Sequence, residues 1–210
     1  MTIFGSNFVK IDSDIRSFTG EKLPTTFNGV QVSVGGKPAA LLILQPTFIV
    51  AQAPIDAAQG NQSVVVRNGN GEVVTAGTVQ VANVAPAFYF DANGGVFTKL
   101  DYSLVTASNA ARAGDLIWGF GTGFGALTGR SGAPRLNTGD LPPVGSLYDT
   151  APVTLTVGGR DARVMATVAT PGYAGLYQVL FEVPQGVTGN VPVIATMGST
   201  RSNSVNLMVR

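Results

Sequence analysis

The segments Phe4-Gly5-Ser6-Asn7-Phe8 and Phe120-Gly121-Thr122-Gly123-Phe124 are two versions of one motif, and their recurrence decides the fold. A second motif, Val32-Ser33-Val34-Gly35-Gly36-Lys37, returns in the same order as Leu155-Thr156-Val157-Gly158-Gly159-Arg160. The spacing between the motifs differs in the two halves, which places the strands in the motifs and the insertions in the loops between them. The chain of 210 residues therefore contains a small β domain twice.

The composition fits two small β domains. The 27 glycines and 12 prolines supply turns, and the Val-, Ile-, Thr- and Phe-rich stretches between them suit pleated, half-buried strands. Hydrophobic residues make up 45% of the chain, which is enough for a core in each domain. Short strands between regular turn signals predict antiparallel sandwiches. We therefore predict an all-β chain of two tandem immunoglobulin-like sandwiches, over residues 1–84 and 85–210.

We expect the first domain to lack its N-terminal strand. Thr2-Ile3-Phe4 already has the pattern of the strand that enters the repeated turn, whereas the second copy has a long segment before the equivalent Ile117–Phe120. We expect the edge left open to be covered by the Lys10–Thr26 loop or to pair with another chain in a dimer. The repeat also predicts that Phe4 and Phe120 fill corresponding core positions.

Charge and composition argue against several functional classes. Thirteen basic and twelve acidic residues leave a formal net charge of +1 without a cluster of Lys or Arg, so we expect no nucleic-acid surface. The longest aliphatic run, Ala39–Leu44, is far too short to span a bilayer, and the N-terminus shows no signal-peptide pattern. The absence of Cys and His removes disulfides and the Ser-His-Asp and Cys-His catalytic arrangements. We expect no cofactor and no metal.

The densest acidic group consists of Asp12, Asp14 and Glu21. A pair of carboxylates can hydrolyse a glycosidic bond, and carboxylate oxygens can hold calcium. However, the spacing lacks the glycine and the glutamate of the twelve-residue calcium loop, and Lys10 and Lys22 neutralise the segment. We interpret the segment as a solvated loop, with a calcium site and a catalytic pair as the alternatives.

Two glycine patterns predict turns. Gly121–Ala126 matches the dinucleotide fingerprint G-x-G-x-x-A, but Leu127–Gly132 cannot form the helix that must follow it. We therefore expect a turn at a strand end. The pairs Gly35-Gly36 and Gly158-Gly159 predict hairpin turns with positive φ.

Aromatic residues are unevenly distributed, since all five Tyr and the only Trp lie in the second half of the chain. Alternation within a strand places Leu116, Trp118 and Phe120 on one face, which predicts that they fill the core.

The loops of the second half supply the candidate ligand surface. Residues 126–149 have no periodicity, which predicts a long loop or an ordered lid. Tyr148 and Tyr173 lie in loops, where a flat ring with a polar tip suits ligand contact. If a ligand binds, we expect it at the surface made by Arg135 and Tyr148 together with Tyr173.

The repeated motifs resemble the IPT/TIG domain, an immunoglobulin-like fold. The segments that carry the resemblance are Thr2–Phe8, Val32–Ala39, Phe48–Pro54 and Gly60–Asn68. The second half resembles an uncharacterised C-terminal domain of predicted secreted acidobacterial proteins, on the segments Ala85–Phe88, Phe120–Gly125, Ala151–Gly159, Pro171–Val179 and Val183–Pro184. The resemblance implies a secreted or cell-surface location and a binding or spacer role, and it supplies no catalytic residues.

Residues and resemblance together predict a non-catalytic binding or spacer module of a bacterial secreted or cell-surface protein, active in adhesion or protein–protein interaction. One alternative is a carbohydrate-binding module attached to an extracellular enzyme. A second is an enzyme that uses carboxylates, with the 126–149 loop as its lid. The partner is then a protein or a polysaccharide, and fold analogy alone does not choose between them.

Overall fold

A computed structural model describes residues 1–9, 13–14 and 22–210, and every regular element within these ranges is a β-strand. The predicted all-β class is confirmed. In this part of the chain no helix is long and apolar enough to cross a membrane. The strands are β1 (Thr2–Phe4), β2 (Ser13–Asp14), β3 (Thr26–Phe27), β4 (Val30–Val34), β5 (Lys37–Pro38), β6 (Ala40–Leu44), β7 (Phe48–Gln52), β8 (Gly60–Arg67), β9 (Val73–Val81), β10 (Ala87–Phe88), β11 (Phe90–Asp91), β12 (Gly94–Gly95), β13 (Phe97–Lys99), β14 (Leu116–Thr122), β15 (Thr128–Gly129), β16 (Tyr148–Asp149), β17 (Thr154–Val157), β18 (Arg160–Ala169), β19 (Tyr177–Glu182), β20 (Gly189–Met197), β21 (Thr200–Arg201) and β22 (Val205–Val209).

The chain folds into two compact units. Unit 1 contains Met1–Asn83 and Arg135–Val144, and unit 2 contains Val84–Pro134 and Gly145–Arg210. The sequence placed all of residues 85–210 in the second domain, whereas ten residues of the 126–149 segment belong to unit 1.

Unit 1 is built from two antiparallel sheets. One has the strand order β1-β7-β6-β2, and the other has the order β3-β4-β8-β9 with β5 added to β4. Strict alternation explains the fold of β4, because Val30, Val32 and Val34 are buried while Gln31 between them is exposed. Leu44 and further apolar side chains from β6, β7 and β8 complete the core.

The segment Arg135–Val144 is ordered by hydrogen bonds within unit 1. The Leu23 N–H donates to the Gly139 carbonyl at 2.8 Å, and the Gly139 N–H donates to Oε1 of Gln52 at 2.7 Å. Lys22 forms an ion pair with Asp140 at 3.2 Å. Burial raises the pKa of Asp140, but hydrogen bonds from Asn137 and the Lys22 ammonium outweigh this and hold that pKa below its usual value. These partners explain why a stretch without periodicity is nevertheless a structured part of unit 1.

Unit 2 is built around an antiparallel sheet with the strand order β10-β14-β19-β18-β17-β20-β21. The strand β13 also pairs with β14, and β22 pairs with β20. Its core contains several aromatic rings, and Phe97 packs edge to face against Phe181 with ring centroids 6.0 Å apart. Phe88 contacts both Phe97 and Phe124.

The buried face of β14 is the opposite of the predicted one. Ile117, Gly119 and Gly121 face the core, whereas Trp118 and Phe120 are only half-buried on the outer face. The glycines suit the core because rings from neighbouring segments occupy the space: a Cβ atom on Gly119 would lie 2.9 Å from Cε1 of Phe97. The alternation was predicted correctly, but its phase was wrong. Leu116, on the same outer face, is half-buried too.

Phe4 does not occupy the core position predicted for it. Its side chain is 80% exposed, and it lies beside Phe48 with the ring centroids 6.4 Å apart. Phe8 is the buried ring of this motif, at 7% exposure. The prediction was wrong for the same reason as in β14, because the aromatic residue after the turn is the one that packs inward.

The repeated motifs lie in corresponding strands with the same register. Val34 of β4 pairs with Val64 of β8, and Val157 of β17 pairs with Val193 of β20. Both Gly-Gly pairs form the predicted positive-φ turns, with φ of 57° and 78° at Gly35-Gly36 and of 60° and 77° at Gly158-Gly159.

Candidate functional site

Tyr148, one of the three predicted ligand residues, is buried at 2% exposure. Its hydroxyl donates a hydrogen bond to the Pro134 carbonyl at 2.8 Å, and its backbone pairs with Gly129. The ring therefore fixes its own loop. Its burial corrects the expectation that Tyr148 presents a ring to a ligand.

Tyr173 and Arg135 are exposed, but they belong to different units. Tyr173, at 55% exposure, lies in a turn of unit 2 closed by a hydrogen bond from its N–H to the Thr170 carbonyl at 3.2 Å. Arg135 begins the segment that belongs to unit 1. The three predicted residues thus do not form one exposed surface within either unit, and a ligand role for Tyr173 or Arg135 stays a prediction.

Arg130 and Asp149 form a two-point ion pair next to Tyr148. Nε of Arg130 donates to Oδ2 of Asp149 at 2.7 Å, and the second bond, to Oδ1, is 2.8 Å long. The Arg130 guanidinium holds the pKa of Asp149 below its usual value. Because both side chains are well exposed, such a pair contributes little to stability. It orients the ends of the loop and carries no sign of a ligand role.

The acidic group considered for calcium or catalysis is largely outside the described residues. Asp12 and Glu21 lie there, and for Asp14 only the backbone, paired in β2, is described. Within the described ranges no three acidic residues come close enough together to hold a metal ion. The geometry of the described residues therefore supports neither the calcium site nor the catalytic pair of carboxylates.

A cluster of exposed apolar side chains in unit 2 was missed by the sequence analysis. Among the described residues thirteen large apolar side chains are exposed, and five of them lie between positions 89 and 104. Two are in the hairpin at Tyr89 and Phe90, and three are in the turn after β13, at Leu100, Tyr102 and Leu104. The signal in the sequence was the run Phe88-Tyr89-Phe90. Only Phe88 is buried, because β10 ends there and Phe90 belongs to the separate strand β11.

The turn after β13 holds Tyr102 in an unusual backbone conformation. Its φ is 62°, one of three positive values at residues other than glycine in the described chain. The Tyr102 N–H donates to the Lys99 carbonyl at 3.0 Å, and the Ser103 N–H donates to Oδ1 of Asp101 at 2.9 Å. Hydrogen bonds from Ser103 also lower the pKa of Asp101. These bonds keep the Tyr102 ring exposed at 64% despite the backbone strain.

A basic hollow of about 350 Å³ adjoins this turn. Its lining residues are Lys99, Leu100, Arg112, Asp115, Leu116 and Arg210. Nζ of Lys99 donates to Oδ1 of Asn109 at 2.7 Å, and the carboxylate of Asp115 accepts a hydrogen bond from the backbone N–H of Arg112 at 2.8 Å. Three cationic side chains thus surround one carboxylate. We name this surface, together with Tyr102, the basic hollow.

Unit 1 has a shallow polar groove of about 460 Å³ on the outer face of β4 and β8. Side chains that can hydrogen bond line it, among them Gln31, whose Nε2 donates to Oγ1 of Thr26 at 3.0 Å. Arg67 is partly engaged, because it donates to the Gly71 carbonyl at 2.8 Å. The groove holds no aromatic ring, so it lacks the apolar contact area that usually anchors a ligand.

Comparison with known proteins finds a family model that matches the first part of the chain. Residues 1–81 match the IPT/TIG domain. No curated protein matches the chain. Among matching solved structures is an endo-fucoidan hydrolase from glycoside hydrolase family 107, at 14% identity and a TM-score of 0.18, with 93% of this chain and 30% of that one covered. The chain thus spans less than a third of that protein's length, and a likeness of this size carries no argument about activity.

Proposed function

We propose that the chain is a non-catalytic binding module of a secreted or cell-surface protein, and that unit 2 binds an anionic partner at the basic hollow. Residues 1–81 match the IPT/TIG domain, a non-catalytic immunoglobulin-like module that commonly occurs in extracellular or surface proteins. The observation that carries the proposal is that Leu100, an exposed apolar residue, lines the same hollow as Lys99, Arg112 and Arg210, and that the exposed Tyr102 follows Leu100 in the same turn.

We further propose that unit 2 is a second, elaborated copy of the same domain. The support is the equal register of corresponding strands, since Trp118 pairs with Leu180 as Thr2 pairs with Val50. We also propose that unit 2 is related to the C-terminal domain of acidobacterial proteins that its sequence resembles. The additional strands β10–β13 of unit 2 create the turn that borders the basic hollow.

The charges of the basic hollow favour a negatively charged ligand. No described acidic side chain forms an ion pair with Lys99, Arg112 or Arg210, and Asp115 accepts its hydrogen bond from a backbone N–H. A guanidinium on a partly enclosed surface binds carboxylate or sulfate groups through paired N–H donors. Such an interaction weakens as the salt concentration rises.

A carbohydrate-binding module is the second candidate, and the Tyr102 ring is the observation that favours it. A flat ring beside cationic side chains suits a sugar ring that carries an acidic group, because the apolar face packs on the ring while the acid meets the cations. A protein partner with an acidic segment would use the same charges without needing the ring. The two candidates therefore differ in their dependence on Tyr102.

Retention on immobilised polygalacturonate, on polyglutamate and on uncharged dextran would test the proposal. We expect the full chain to bind at least one of the two anionic polymers at low salt, and Arg112→Gln to weaken that binding about tenfold, since a hydrogen bond to a charged group is lost. Arg163→Gln is the matched control, because Arg163 is an exposed arginine of unit 2 outside the hollow. Equal loss in both variants, or no retention, would favour a spacer role.

The Tyr102→Ala variant separates the two candidates. Weaker retention on polygalacturonate with unchanged retention on polyglutamate indicates a carbohydrate-binding module. Unchanged retention on both polymers indicates a protein-type interaction with an acidic partner.

A further inference from the structure

Strand β1 has a hydrogen-bonding partner on one side only. It pairs with β7, joining Thr2 to Val50 and Phe4 to Phe48. In an antiparallel pair, alternate residues direct both backbone groups to the partner and the residues between them direct theirs away. The backbone N–H of Gly5 points toward β7, since it donates to the carbonyl of Thr47, the residue before β7, at 2.9 Å. The N–H and C=O groups of Thr2 and Phe4 therefore point to the other side.

Within the described residues no strand pairs with this free side. The strands β1 and β2 lie at opposite edges of their four-stranded sheet. The Lys10–Thr26 segment was expected to cover the β1 edge, or else another chain to pair with it. Of the described part of this segment, Ser13–Asp14 pairs with β6 and Thr26 begins β3. The rest of that segment up to Glu21 lies outside the described residues.

Unit 2 shows what occupies the corresponding edge. Phe120 holds the place in β14 that Phe4 holds in β1, because Phe120 pairs with Gln178 as Phe4 pairs with Phe48. The Phe120 N–H donates to the Val96 carbonyl at 3.1 Å, and its carbonyl accepts from the Tyr89 N–H at 2.9 Å. The edge of β14 is thus closed by a segment that contains β10 and β13. Among the described residues of unit 1, the same groups of Phe4 have no such partner.

One difference between the copies limits how far such a segment can extend in unit 1. Gly123 of unit 2 has a φ of 75°, and Asn7 has a φ of 59° at the matching position. In the covering segment, the Ala85 N–H donates to the Gly123 carbonyl at 2.9 Å. A Cβ atom on Gly123 would collide with the Ala85 carbonyl. Asn7 carries that Cβ atom. A segment on β1 must therefore end or turn away before Asn7.

We propose that the open edge of β1 binds an extended segment of another polypeptide, which pairs antiparallel with Thr2–Phe4 and ends before Asn7. Backbone hydrogen bonds supply the affinity in this mode of recognition, and alternate side chains supply the specificity. Strand β13 of unit 2 indicates the chemistry of the segment, because it covers the residues that correspond to Thr2 and Ile3. Thr98 pairs with Trp118, Phe97 pairs with Gly119, and both Phe97 and Thr98 are buried. This surface is in unit 1, so it is independent of the basic hollow.

The probe is a synthetic peptide with the sequence of residues 95–101, Gly-Val-Phe-Thr-Lys-Leu-Asp, added to the full chain. We expect the peptide to slow amide exchange at Thr2 and Phe4 while the amides of Ile49 and Ala51 are unchanged. A peptide with the sequence of residues 84–90 is the control, because in unit 2 this segment covers Gly121–Gly123, and it is not expected to protect Thr2.

A matched pair of variants tests the backbone directly. Phe4→Ala removes the ring and keeps the N–H, whereas Phe4→Pro removes the N–H that points away from β7. We expect protection of the Thr2 amide by the peptide in the first variant and none in the second.

Several results would overturn the proposal. These are a 95–101 peptide that protects neither Thr2 nor Phe4, and equal protection in the Pro and Ala variants. Protection of Thr2 and Phe4 without peptide that disappears on dilution would assign the edge to a second copy of this chain instead.

Discussion

A Cβ atom on Gly121 would lie 2.8 Å from Cε2 of Phe124, so the Phe124 ring fills the space that any larger residue at position 121 would need. The first copy of the motif repeats this relationship, because a Cβ atom on Gly5 would collide with the ring of Phe8. In both units the aromatic ring three residues later packs directly against the glycine at the strand end, in the space that a side chain there would occupy. This packing explains why both copies of the motif have a glycine followed three residues later by phenylalanine.

We predict that Gly121→Ala destabilises the protein by about 1–3 kcal/mol, because the added methyl group must displace either the Phe124 ring or the Ala87 carbonyl, which lies 2.5 Å from the same position. Urea unfolding measures the change. The control is Gly77→Ala, since a Cβ atom on Gly77 meets no heavy atom within 4 Å and its φ is not in the left-handed range. Equal effects of the two substitutions would contradict this account.

We predict that Phe8→Ala costs about 3–5 kcal/mol and that Phe4→Ala costs less than about 1 kcal/mol. Phe8 is buried at 7% exposure and Phe4 is exposed at 80%, so only the first substitution leaves a cavity. Thermal unfolding followed by a probe in unit 1 compares the two variants. A larger loss from Phe4→Ala would show that its contact with Phe48 holds the sheet edge in place.

The sequence was sufficient for the all-β class and for the Gly-Gly turns, because alternation and Gly-Gly pairs report local backbone geometry. It was not sufficient for the inward face of β14. Gly119 and Gly121 have no side chain to signal burial, and the rings that cover them come from Phe97 and Phe124, which are distant in the chain or beyond the strand. Periodicity shows that two faces differ, but packing partners decide which face is inside.

The candidate site was harder to predict for the same reason. Tyr148 and Tyr102 both lie outside the long strands, and no local pattern shows that the first is buried while the second is 64% exposed. The burial of Tyr148 depends on its hydrogen bond to Pro134 across the loop. Arg135 was placed with the second domain because contacts between Arg135–Val144 and the first part of the chain are not visible in either segment alone.

We predict that Gly139→Ala destabilises unit 1 more than a positive φ alone explains. A Cβ atom on Gly139 would lie 2.8 Å from the Leu23 carbonyl, so the substitution strains both the backbone and the packing. The matched control is Gly145→Ala, which has a φ of 89° against 85° at Gly139 but meets no atom within 4 Å. The control should cost about 1 kcal/mol and Gly139→Ala about 1–3 kcal/mol more. Faster exchange of the Leu23 amide in Gly139→Ala alone would identify the affected contact.

We predict that stability falls between about pH 10 and 12 through the ionisation of Tyr177. Burial raises the pKa of this phenol from 10.0 to about 12, and its hydroxyl donates to the Gly125 carbonyl at 2.7 Å. Because the folded-state pKa is the higher one, the contribution is complete below the unfolded pKa and is lost as the pH rises through the folded pKa, by about 3 kcal/mol. Tyr177→Phe should lose this pH dependence while keeping the ring against Phe124. An unchanged alkaline transition in that variant would assign it to other groups.

We predict that the backbone conformation of Tyr102 lowers the stability of the protein. A tyrosine at a φ of 62° carries about 1 kcal/mol of backbone strain, and asparagine tolerates this conformation better than tyrosine or alanine does. Tyr102→Asn and Tyr102→Ala both remove the exposed ring, so the difference between them reports the strain alone. We expect Tyr102→Asn to be more stable than Tyr102→Ala by about 0.5–1 kcal/mol in urea unfolding, and neither to fall more than about 1 kcal/mol below the wild type. If both lose more than about 2 kcal/mol, the ring supports the fold and Tyr102 leaves the proposed ligand surface. If both keep their stability and bind the anionic polymer more weakly, the strain serves to hold an aromatic ring beside the cations of the basic hollow.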